Sequence, residues 1–141
     1  MRPNWIVTSL GALLIASSVL AQAPPPGQVV FPKNATALEG LPQVRIDTAK
    51  DNVIRRELDS AEAAKSRLTI SIVDGRFYWG DRPGHPLTVS TSGSFTYLSS
   101  AEPGRYVRFQ DVNNTLIYVE HVDMGTQFVT YWGELRIVLG K

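Results

Sequence analysis

The chain carries two histidines and no cysteine, so any catalytic chemistry must be assembled from few parts. Glu120-His121-Val122-Asp123 is the densest polar cluster within a strand-like run. His121 and Asp123 are two apart and would share one side of a strand. A histidine oriented by a carboxylate is the raw material of a general base or a metal ligand. Glu134 is the one further acid that could join them. A metal site wants three or four ligands, and only two are at hand, so neither a metal nor a cofactor is expected. The alternative for His121 is a hydrogen-bonded ring at the rim of a core. His85, between Gly84 and Pro86, reads as plain loop surface.

A second constellation is built for recognition. Tyr106, Arg108, Tyr118 and Glu120 would meet across one hairpin if all four face outward, where they could read a sugar or a carboxylate. The competing reading is a solvated face with an ion pair worth little. All five tyrosines fall between Tyr78 and Tyr131, which β-propensity alone would also produce. No G-x-S-x-G or S-x-x-K motif marks a nucleophile, and no glycine-rich phosphate loop is present.

The elements that must hold these residues follow from periodicity. Leu68 to Val73 alternates, Asp74-Gly75 is a type I′ turn signal, and Arg76 to Trp79 returns. That register puts Leu68, Ile70, Ile72, Phe77 and Trp79 on one apolar face. Short strands follow at 87–90 and 94–98. Arg105–Asp111 and Thr115–Val122 form a second hairpin. Read with a three-residue loop at 112–114, it pairs Phe109 with Ile117 and Val107 with Val119. This register turns His121 toward the core and Tyr118 and Glu120 away from it. Strands at 127–132 and 135–139, parted by a bend at Gly133-Glu134, bring the total to about eight in a meander. Upstream, Thr48 to Leu68 reads as a helix, with Thr48-Ala49-Lys50-Asp51 as its capping box, a thin stripe at Ile54, Leu58, Ala61 and Leu68, and an Asp51/Arg55 pair. The fold class is therefore α+β, mainly β: one N-terminal amphipathic helix on a bent antiparallel sheet or small barrel.

The start of the chain has an address. Arg2, an uncharged run from Ile6 to Leu20, and Ala21-Gln22-Ala23 have the order of a signal peptide. Cutting after Ala21 rather than Ala23 avoids a proline just past the cut. The organisation is then a signal at 1–21, a Pro-rich linker at 22–43 and a single domain at 44–141. The linker either spaces the domain during export or lies against it through Val29, Val30 and Phe31. With Arg2 removed, thirteen Lys and Arg face thirteen Asp and Glu, a balance that speaks against nucleic acid and against an anionic membrane surface. Contact with a membrane is expected only through the signal, during export. The absence of cysteine excludes disulfides, thiolate-held metals and lipid attachment at the cut. The expectation is a periplasmic or secreted, non-catalytic domain that binds an envelope protein, a polysaccharide or a small ligand. The alternative is a small extracytoplasmic hydrolase or metal-dependent enzyme using His121 and Asp123.

Overall fold

The computed structural model describes residues 26–80, 85–100 and 104–141. The expected signal at 1–21 lies outside them. Among the described residues there are nine strands and one short helix: β1 (Ala35–Ala49), β2 (Asn52–Glu57), α1 (Ser60–Lys65), β3 (Leu68–Val73), β4 (Arg76–Trp79), β5 (His85–Ser92), β6 (Phe95–Ser100), β7 (Arg105–Val112), β8 (Thr115–Asp123) and β9 (Gln127–Leu139). From β3 to β9 each strand pairs antiparallel with the next, and β9 returns to β1. Eight strands close into a barrel, and β2 is an extra strand on the side of β1.

The β3–β4 hairpin has the register its sequence dictates. Ile72 faces Phe77 across the Asp74-Gly75 turn, whose two residues both take positive φ (51° and 72°). Leu68, Ile70 and Phe77 are buried, with Ile72 and Trp79 packed against them. They join Leu38, Leu87, Leu98, Val107, Phe109, Tyr118 and Leu135 in one interior cluster. An eight-stranded barrel has an interior that side chains just fill, and this one is filled over its lower and middle layers.

The N-terminal helix expected over 48–68 is not formed. Its first part is the end of β1 and all of β2, and only Ser60–Lys65 is helical. Two physical reasons account for the difference. Val53 and Ile54 favour an extended backbone. In addition, β3 pairs with β1 only from Ala37 to Gly40, so the edge of β1 beyond that point needs another partner, which Asn52–Glu57 supplies opposite Val44–Ala49. The working capping box is Asp59 with Glu62, not Thr48 with Asp51: Asp59 Oδ1 accepts from the Ala61 and Glu62 amides, and Glu62 accepts from the Asp59 amide. Arg55 pairs with Glu57, on the surface, rather than with Asp51.

Residues 35–43, read from sequence as the end of a linker, form the first half of β1. The stretch just before them works as a plug. Phe31 meets Phe77 edge-on at 5.0 Å and Phe109 at 5.9 Å, Val29 packs beside it, and the Gly27 carbonyl accepts from the Asp111 amide. The β3–β4, β5–β6 and β7–β8 turns lie at this end, so the base of the barrel is closed by apolar side chains. Val30, by contrast, is exposed.

Closure depends on one close approach. β1 and β9 pair from Ala35/Leu139 to Ala49/Gln127, with one register shift between Ala35 and Ala37 and a bulge between Pro42 and Val44. Pro42 sits where β1 has left β3 and not yet met β2, so its missing N–H costs no ladder bond. Opposite it is Gly133. A Cβ there would overlap the Leu41 carbonyl and come within 2.8 Å of Pro42 Cα. Gly133 is thus no bend between two strands: β9 runs through it unbroken. Gly133→Ala is expected to cost about 3 kcal/mol by forcing the seam apart, read as a lower urea midpoint. An unchanged midpoint would mean that β1 and β9 do not meet here.

Candidate functional site

Inward-facing positions change character along the barrel axis. Val107 and Phe109 point into the core, and two residues before Val107 so does Arg105. Tyr118 is buried among the same core residues, and two residues after it comes Glu120, 3 % exposed. Trp79 follows Phe77 in the same way. At the end away from the Phe31 plug, the inner wall becomes charged and aromatic.

Arg105 is the centre of this mouth. Its guanidinium lies 3.9 Å over the Trp79 ring, and its edge donates to Glu120 Oε1 from Nη2 at 2.9 Å and from Nε at 3.3 Å. Three adjoining hollows share it. The largest, of about 400 Å³, is lined by Arg45, Lys65, Arg67, Arg105, Glu120 and Tyr131 together with Val122, Met124 and Val129. A second, of about 280 Å³, lies between Arg67, Trp79 and Arg105. The third, of about 270 Å³, lies between Trp79, His85, Ser100 and Arg105. Arg45 is held by Asp47 in a two-pronged pair, with Nη2–Oδ1 at 2.6 Å and Nε to both oxygens at 2.9 and 3.0 Å. It also reaches the Tyr131 hydroxyl at 3.4 Å.

Burial governs the protonation of the deeper groups. Desolvation pushes the Glu120 carboxyl up, and Arg105 pulls it part of the way back. The Tyr118 phenol is raised by burial and then by Glu120. Its hydroxyl is buried with no hydrogen-bond partner among the described residues. The ring occupies space that Gly40 leaves open, since a Cβ there would stand 2.7 Å from Tyr118 Cε1.

The mouth was hidden from sequence by one residue of register. The β7–β8 loop is Asn113-Asn114, both at positive φ (55° and 65°), and Val112 faces Thr115. Phe109 therefore pairs with Tyr118 and Val107 with Glu120, not with Ile117 and Val119. A one-residue slip exchanges the two faces of a strand. The four residues grouped from sequence are split by the wall: Tyr118 and Glu120 lie inside, while Tyr106 and Arg108 lie outside. Arg108 rests over Phe95, at 5.3 Å from the ring centroid. An asparagine pair at a two-residue type I′ turn was the signal that would have set the register.

His121 faces outward, contrary to the same expectation. Its ring lies 4.7 Å from that of Tyr106, across the hairpin, and Nδ1 shares a 3.0 Å hydrogen bond with the Thr130 hydroxyl. Desolvation, then Arg108, lowers its pKa. His121 and Asp123 do line a common outer groove of about 480 Å³, with Tyr106, Phe128 and Thr130. Asp123 Oδ1, however, accepts from the Gly125 amide and caps the β8–β9 turn. Glu134 is four residues further along β9 than Thr130, about 13 Å away, and accepts from Gln43 at 3.3 Å. The three do not converge. Among the described residues no group of three His, Asp or Glu is placed to hold a metal ion. No known protein family, curated protein or solved structure matches the chain.

Two stability measurements check these assignments. A raised acid favours the folded state while protonated, and that contribution is lost as pH rises through its folded value. Arg105→Ala leaves Glu120 buried without its partner, at an expected cost of about 2 kcal/mol near neutral pH, reduced because Arg105 is half-exposed. Near about pH 4 the cost shrinks, because Glu120 takes up a proton. Equal losses at both pH values would place the carboxylate in solvent. For His121 the neutral ring is favoured, so its contribution disappears as pH falls through the imidazole range. His121→Gln is expected to flatten the stability profile only below about pH 6.5.

Proposed function

We propose that this protein is a non-catalytic binding module whose ligand site is the open mouth of the barrel. The observation that carries the reading is the convergence of three hollows on Arg105, whose guanidinium is fixed by Trp79 on its face and Glu120 on its edge. A buried carboxylate and an unpartnered buried phenol cost stability, and such costs concentrate where a fold serves a site. A cavity of this size suits a small molecule better than a chain. The other end of the barrel is stoppered by Phe31 and offers no comparable entrance.

The reading takes the chain as exported, on the strength of residues 1–21, to the periplasm or the exterior. The outer wall is mixed: Thr88, Ser90 and Gln110 face outward from β5 and β7, while Leu41, Phe128 and Trp132 are exposed on β1 and β9.

The test is a heteronuclear NMR titration with separate panels of sugars, amino acids and organic acids. At least one panel is expected to shift the Trp79 indole and the amides of 105, 120 and 131 saturably, while Phe31 and Phe109 stay still. Trp79→Ala is expected to weaken that binding about tenfold. Shifts confined to the outer groove around Tyr106 and His121 would move the site there and sink the proposal.

A further inference from the structure

Resting on that reading, we infer that the mouth takes a compact oxyanion, the carboxylate or phosphate group of a small organic acid. The charge balance of the largest of the three mouth hollows is the starting point. Among the described residues four cations line it, Arg45, Lys65, Arg67 and Arg105, against a single lining carboxylate, Glu120. Glu120 is engaged by Arg105, and Asp47, close by, is engaged by Arg45. That leaves Lys65 and Arg67, which have no carboxylate partner among the described residues. They stand together where α1 ends and β3 begins, on the lip of the hollow.

The two tiers have different work. Lys65 and Arg67 are exposed, and although Arg67 shares a neighbouring hollow with Glu39 and Glu134, their unpaired charge draws an anion in. Arg105 waits below in one orientation, because its planar group is already stacked and tethered. A guanidinium fork held in place loses little freedom when it binds a planar or tetrahedral oxyanion. The Tyr131 hydroxyl, near Arg45, offers a further donor. Val122, Val129 and Met124 line the same hollow, so the body of the acid would rest on apolar carbon. Glu120 opposes this only in part, because its carboxylate is already engaged by Arg105.

The outer groove at His121 supports no comparable claim. Its carboxylate caps a turn and its histidine is held by Thr130.

The experiment uses the full chain and three probes: inorganic phosphate, acetate and glucose. Phosphate or acetate is expected to shift the Trp79 indole N–H and the Arg105 Nε–H saturably at low ionic strength. Affinity should fall about tenfold in the double variant Lys65→Gln, Arg67→Gln, and severalfold when salt is raised to about 0.15 M. Both side chains are exposed, so the variant is expected to keep the wild-type urea midpoint. Preference for phosphate over acetate would identify a tetrahedral group, and the reverse a planar one. If glucose moves the mouth and neither anion does, the oxyanion assignment is wrong and the binding cup stands. If no probe moves Trp79, both are wrong. Binding that survives unchanged in the double variant also overturns the assignment.

Discussion

The pairing of β1 with β9 along their whole length creates an inside, and one extra residue in β1 decides what that inside contains. Below the bulge, Leu38, Gly40 and Pro42 face the interior. Past it the parity changes, and Arg45 and Asp47 face inward opposite Tyr131 and Val129. Without the bulge, Val44 and Ile46 would point in and the apolar core would continue to the rim. A β-bulge re-aims every side chain that follows it. Here it places a charged pair where a greasy one would otherwise lie. The seam tolerates the insertion because Gly133 brings no side chain to the point of closest approach.

The charged layer then has to be solved electrostatically. Glu120 is buried at the mouth, where desolvation pushes its carboxyl up and Arg105, donating twice to Oε1, offsets part of that shift. Arg105 in turn is kept from collapsing into solvent by the face of Trp79, whose position is set by the β3–β4 hairpin. Three strands distant in sequence thus hold one guanidinium. Replacing the pair by leucines would be the more stabilising choice for a barrel with no task. The same holds for Tyr118: a phenylalanine would fill the space beside Gly40 without burying a hydroxyl that lacks a partner.

Much of this was legible in the residues and some of it was not. The β3–β4 hairpin was, because Asp74-Gly75 and the alternation on either side agree. The meander was legible for the same reason, strand by strand. The helix was misjudged because 48–68 lacks glycine and proline and looks helical in isolation. Its extended form is imposed by an unpaired edge of β1, a requirement that exists only once the barrel has closed. Closure itself was invisible, since the strand that completes it lies in a stretch whose prolines and lack of period suggest a linker. The mouth was missed through a single unit of loop length at Asn113-Asn114, which sent Tyr118 and Glu120 to the wrong side of the wall.

Both decisive features, the Pro42 bulge and the Asn113-Asn114 turn, are one-residue matters, and they act together. The turn sends Glu120 inward from β8, to meet Arg105 on β7. The bulge sends Arg45 and Asp47 inward from β1. Either alone would leave one ion pair in a mouth otherwise lined by carbon, too poor in donors to select a ligand by charge. Together they set two arginines on opposite sides of Tyr131 and Glu120, carried by strands and not by loops. Groups held that way are oriented before anything arrives.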